Sequence, residues 1–144
     1  MVLVTGATGI LGRVIVLDLL KRGKKVRATK RATSNLKEVE NSYRFYTENP
    51  KEYFDQVEWL DVDFEDILSL QNALIGITEV YHCAAKVSFH PKDRRAMYHT
   101  NIAGTRNLLF AIETSTVKKL CFVSSTAVLD GVNGASSRSA KVIA

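Results

Sequence analysis

The chain has 144 residues, 46% hydrophobic and 24% charged, with 20 Lys and Arg against 15 Asp and Glu for a net charge of +5. That is the composition of an ordinary water-soluble globule with room for one domain and a sizeable core, and it leaves no space for a second. No apolar stretch approaches the roughly 18 residues of a membrane span, and no basic segment precedes an apolar signal core, so a cytoplasmic protein with no membrane partner is expected.

Val2-Leu3-Val4-Thr5 is an apolar strand that runs into glycines at 6, 9 and 12, after which Val14, Ile15 and Leu19 continue at helical spacing to about residue 22. A strand, a tight glycine turn and a helix N-terminus in direct succession suit a diphosphate. Glycine can take positive φ there, and without a Cβ it lets phosphate approach backbone N–H groups whose pull the helix dipole reinforces. The third glycine lets the helix pack close to the strand. The spacing is Gly-x-x-Gly-x-x-Gly rather than the Gly-x-Gly-x-x-Gly fingerprint, so the placement between strand and helix carries more weight than the glycines themselves. Gly6, Thr8, Gly9, Ile10, Leu11 and Gly12 are candidate cofactor contacts; a tight turn without a ligand is the alternative.

Much of the positive charge lies in Lys21, Arg22, Lys24, Lys25, Arg27, Lys30 and Arg31. The cluster lacks interleaved aromatic residues and a recognition helix, which argues against a nucleic-acid partner; Lys21 and Arg22 simply suit a helix C-terminus before Gly23. Residues 25–29 read as a second strand. At its end, where an adenosine ribose would lie, an acidic residue would bind two hydroxyls and repel a 2′-phosphate. Lys30 and Arg31 stand there instead, with no acid until Glu38, which favours NADP with NAD possible. Arg31 matches phosphate in geometry and charge, with Lys30 as a point-charge helper; a solvated basic loop is the alternative.

Residues 33–40 suggest a short helix, and 41–55, with aromatic residues at 43, 45, 46, 53 and 54, an insertion without firm period. A third strand over 57–60 leads to Asp61, expected to accept from the adenine amino group, Val62, expected against the ring, and Asp63, expected to cap a helix over 65–75. A fourth strand, 79–82, ends in His82-Cys83-Ala84-Ala85. Ala84 and Ala85 are small enough to let a ribose or diphosphate approach, and His82 reads as a packed strand residue before a base. The longest helix, 93–114, carries Asn101 on an otherwise apolar or small face, where its amide must hold backbone groups or water. A fifth strand, 119–124, brings Ser124, Ser125 and Thr126 to the cleft, where a hydroxyl could donate to a substrate carbonyl during hydride transfer. Plain turn chemistry is the alternative there.

Strands alternating with helices predict an α/β doubly wound parallel sheet of about five strands in order 3-2-1-4-5, with ligands at the strands' carboxyl ends. The domain spans 1–129, and 130–144 reads as a loop or disordered tail. Cys83 and Cys121 suit small buried residues in a reducing compartment, and the scattered histidines at 82, 90 and 99 predict no metal site.

Taken together, Thr5 to Gly12, Val26 to Arg31, Asp61-Val62, His82 to Ala85, Asn101 and Val123 to Thr126 resemble, over about residues 2–129, the N-terminal half of an extended short-chain dehydrogenase/reductase. The nearest flavour is the NAD-dependent epimerase/dehydratase branch, similar to dihydroflavonol reductases and 3β-hydroxysteroid dehydrogenases. The resemblance implies a Rossmann-type fold and cofactor roles for Gly6, Gly9, Gly12, Arg31, Asp61, Val62 and Ala84. It also implies water organisation by Asn101 and a substrate-carbonyl contact from Ser125, with Thr126 as alternative. The family's catalytic Tyr-x-x-x-Lys is absent: four residues beyond the five tyrosines, 43, 46, 53, 81 and 98, stand Thr47, Pro50, Val57, Ala85 and Ile102. The expectation is therefore the NADP(H)-binding half of an oxidoreductase acting on a carbonyl or secondary alcohol, truncated before the sixth strand and not competent alone. The competing readings are a non-catalytic sensor or scaffold module and half of a nucleotide-sugar epimerase or dehydratase. An exposed fifth strand would promote self-association.

Overall fold

A computed structural model describes residues 1–125, so Thr126 and the expected tail at 130–144 lie outside the described residues. Five parallel strands, β1 (Val2–Thr5), β2 (Val26–Lys30), β3 (Glu58–Asp61), β4 (Glu79–His82) and β5 (Lys119–Phe122), form one sheet in the order β3-β2-β1-β4-β5. The expected strand order and fold class are both borne out. β1 is buried along its whole length, as a central strand covered on both faces must be, and this explains its unbroken apolar run.

Side chains alternate across β1 and feed two separate layers. Val2 and Val4 pack with Val16, Leu19 and Leu20 of α1 (Ile10–Lys21), while Leu3 packs on the opposite face with Leu70, Leu74, Leu108 and Ala111. Those last four belong to or adjoin α4 (Ile67–Ala73) and α6 (Thr105–Glu113). The period of two in the strand thus meets the period of 3.6 in the helices on each side.

Four expectations on local structure change. The helix begun at residue 33 is α2 (Leu36–Tyr43), capped by Asn35, whose side chain accepts from Glu38 N–H, and it runs on to Tyr43. It does so because Val39 and Tyr43, one turn apart, bury against Leu17. The aromatic residues of the supposed insertion complete that cluster: Tyr53 and Phe54 of α3 (Pro50–Phe54) and Trp59 pack on it. Asp66, not Asp63, caps α4 by accepting from Leu68 N–H, while Asp63 closes its own turn by accepting from Glu65 N–H. The long helix is α5 (Arg94–Tyr98), a π-helical segment (His99–Gly104) and α6, and Ile102 and Leu109 on it are exposed.

Cys121, expected to be buried, is exposed on β5, one of the two edge strands among the described residues, and Cys83 is half-buried; both are free thiols. Among the described residues no helix is long and apolar enough to cross a membrane.

Candidate functional site

The glycines at the end of β1 divide by physical role. Gly6 has φ +65°, a conformation that disfavours any side chain, and a Cβ on it would lie 2.6 Å from the Ala84 nitrogen. Gly12 is buried, and its Cβ would lie 2.1 Å from the Gly6 carbonyl oxygen. These two are therefore demanded by the fold, Gly12 in the packing role its position suggested. Gly9 differs, since its Cβ would meet only the Gly6 oxygen, at 3.2 Å, and its φ of −74° suits any residue. It is the N-cap of α1, and no side chain caps the helix N-terminus there. That is the fit a diphosphate requires.

A cleft of about 1030 Å³ runs across the carboxyl ends of β1 to β4 and is lined by Gly6, Thr8 and Gly9, by Thr29 to Ala32, by Asp61 to Glu65 and by Cys83 to Val87. It lies at the upper end of the ~300–1,000 Å³ usual for ligand pockets. Of the candidate residues it brings together Gly6, Thr8, Gly9, Lys30, Arg31, Asp61, Val62, Ala84 and Ala85. Ile10, Leu11 and Gly12 do not line it: the first two hold exposed side chains on the first turn of α1. Ser124 and Ser125 follow β5 and are also outside the lining.

At the β2 end, the backbone of Arg31 accepts from Ser34 N–H and donates to Ser34 Oγ in a tight turn, and Arg31 lines the cleft with no ion pair among the described residues. Lys30, expected as its helper, is joined to Asp61 by an ion pair of 2.5 Å across the β2–β3 register.

Sequence reasoning missed Arg13. It sits in the first turn of α1, where the helix dipole disfavours a cation. Its guanidinium donates to the carbonyls of Thr8 at 2.6 Å and Gly9 at 3.2 Å and pairs with Glu38 at 3.1 Å, fastening the glycine turn to α2. The only signal was a basic residue where helices favour acids.

Beneath the turn a buried polar chain ties the sheet to the helix layer. Thr5 Oγ1 accepts from Ala84 N–H and lies 2.6 Å from His82 Nδ1, and His82 Nε2 lies 2.9 Å from Thr105 Oγ1. With the proton on Nε2, Thr5 donates to Nδ1 and the imidazole donates to Thr105, so every group is satisfied. The ring is 2% exposed, between Phe64 and Phe122, and burial pushes its pKa down to about 4. It is a packed neutral strand residue.

Asn101, implied to organise water, spends both ends of its amide on one backbone: Nδ2 donates to the Lys86 carbonyl at 2.9 Å, and Oδ1 accepts from Lys86 N–H at 2.8 Å. It lies in the π-helical segment, an irregularity common at functional sites. The amide holds the cleft wall that follows β4. Burial, with Cys121 nearby, pushes the Cys83 thiol up to about 11, so it is an unreactive part of that wall.

The profile of the NAD dependent epimerase/dehydratase family matches residues 2–141. A putative dihydroflavonol 4-reductase of Synechocystis sp. is 33% identical over 91% of this chain and 34% of its own length. A sterol demethylase protein B of Methylococcus capsulatus is 36% identical over 91% of this chain and 36% of its own. Among solved structures, a variant of UDP-glucuronic acid 4-epimerase from Bacillus cereus, bound to NAD and UDP-4-deoxy-4-fluoro-glucuronic acid, is 28% identical with a TM-score of 0.71, over 94% of this chain and 43% of that one. The chain spans about a third of the length of the curated relatives it matches.

Proposed function

Since this chain belongs to the NAD dependent epimerase/dehydratase family and is an NAD(P)-binding domain of oxidoreductase type, we propose that its cleft binds NADP(H) as part of an enzyme acting on a carbonyl or secondary alcohol. Gly9 carries this proposal: its φ suits any residue and a Cβ on it would meet one atom, the Gly6 oxygen at 3.2 Å, at an uncapped helix start that lines the cleft. Gly9 and Thr8 receive the diphosphate, Ala84 and Ala85 give a ribose close approach, Asp61 accepts from the adenine amino group and Val62 packs against the ring. Arg31, exposed and unpaired by any acid among the described residues, receives the 2′-phosphate. When bound, the nicotinamide supplies or accepts hydride.

On the substrate side, Ser125, or Thr126 beside it, donates to the substrate carbonyl, and Asn101 keeps the Lys86 segment in place. None of the five tyrosines is followed four residues later by lysine, so the chain as given binds cofactor without efficient turnover. Exposed Leu109, Phe110 and Phe122 favour self-association on the α6 and β5 side.

The test is calorimetric titration of NADP and NAD into the chain and into Arg31→Ala. The reading expects a preference for NADP that the substitution abolishes; an unchanged ratio of the two affinities overturns the phosphate assignment. A preference for NAD in the parent chain would favour a nucleotide-sugar epimerase half, for which the NAD-bound Bacillus cereus neighbour speaks.

A further inference from the structure

The end of β2 presents two neighbouring cations with different surroundings. Arg31 is exposed, whereas the Lys30 side chain is only 20% exposed and its ammonium is bonded to Asp61 Oδ1. Lys30 and Asp61 are partners in the β2–β3 register, each the last residue of its strand. Paired positions on adjacent strands carry their side chains to the same face, so strand pairing itself fixes the two together. The Asp61 side chain is 61% exposed and lines the cleft, with Oδ1 engaged by lysine and Oδ2 left over.

We infer that Lys30 is a positioning residue for base recognition: by holding Oδ1 it turns the second oxygen of Asp61 toward the purine 6-position, so it selects the base and does not bind the 2′-phosphate. This rests on the proposed dinucleotide site and adds a division of labour within it. A carboxylate free to rotate would read the base poorly. The ammonium removes that difficulty, because it fixes the torsion of the acid. A carboxylate oxygen accepts only. It therefore distinguishes adenine, whose 6-amino group donates, from hypoxanthine, whose 6-oxo group also accepts.

Four ligands separate the possibilities when titrated into the full chain: NADP, NAD and the deamino form of each, in which hypoxanthine replaces adenine. The parent chain should bind the adenine forms about tenfold or more tightly than the deamino forms, the scale of a hydrogen bond to a charged acceptor. Lys30→Met, which keeps the stem and removes the charge, should reduce that ratio to about twofold or less while leaving the ratio of NADP to NAD within about twofold of the parent value. Lys30→Arg should retain base selection. In an Asp61→Asn background, Lys30→Met should change the base ratio no further, which distinguishes positioning from general damage. A fall in the NADP to NAD ratio with Lys30→Met would assign Lys30 to the phosphate and overturn the inference. An unchanged base ratio would overturn it as well, leaving the pair a surface contact. Failure of the parent chain to bind any of the four would be a failure of the dinucleotide reading itself and would take this inference with it.

Discussion

The carbonyl oxygen of Gly6 occupies the place where a side chain on Gly12 would have to begin: a Cβ there would lie 2.1 Å away. At Gly9 the corresponding contact is 3.2 Å, within reach of a small relaxation. Gly12→Ala should therefore destabilise the chain by more than about 3 kcal/mol in urea unfolding, since backbone has to move. Gly9→Ala should cost less than about 1 kcal/mol yet weaken NADP binding about tenfold or more if the turn receives a diphosphate as proposed. Equal losses of stability in the two variants would contradict this division.

His82 makes stability depend on acid. Its folded pKa of about 4 lies below the ordinary histidine value of 6.5, so the unfolded chain binds more protons between those values and stability rises with pH across that window. It is fully present above pH ~6.5 and declines as pH falls towards ~4, by about 2–3 kcal/mol for this one group. His82→Gln, which offers hydrogen bonds without titrating, should flatten that part of the profile. Urea unfolding of both proteins at pH 7.5 and 4.5 gives the difference; equal slopes would exclude the histidine as its source.

The hydroxyl of Tyr43 is buried without a hydrogen-bond partner among the described residues, and burial, opposed by Arg13, pushes its pKa up to about 12. Tyr43→Phe keeps the ring against Leu17 and Phe54 and removes an unsatisfied polar group. It should be neutral or stabilising by up to about 1 kcal/mol. Tyr43→Ala should cost about 3–5 kcal/mol through the cavity it leaves. A lower Tm for Tyr43→Phe than for the parent would show that the hydroxyl has a partner.

Asn101 fixes Lys86 through two hydrogen bonds from one amide. Asn101→Ala should cost about 1–3 kcal/mol and raise amide hydrogen exchange at Lys86 by more than about tenfold. Exchange that stays at the parent rate would mean that the segment after β4 is held by other contacts.

Much of this was legible because the governing forces are local or periodic. The strand order followed from alternation of strands and helices, and the glycine turn from its position after β1. Less accessible were features made by long-range packing. α2 runs to Tyr43 because Leu17, Tyr53, Phe54 and Trp59 supply it with a core, and no short window of sequence contains those residues together. Sequence order sets Lys30 beside Arg31, whereas the β2–β3 register also sets it opposite Asp61, a pairing that no local window contains. Likewise Asn101 could be read as holding backbone, but which backbone depends on the π-helical segment that brings it to Lys86. Arg13 was overlooked because its bonds to Thr8 and Gly9 arise from the turn's own shape.

Calorimetry of the folded chain with NADPH decides whether the glycine turn and the strand ends form a dinucleotide site. NADPH should bind saturably at one site per chain and about tenfold or more weakly in Gly9→Ala, while that variant unfolds at nearly the parent Tm. A cooperatively folded parent chain that gives no binding heat with NADPH or NADH at any accessible concentration, and no rise in Tm with either, would contradict it.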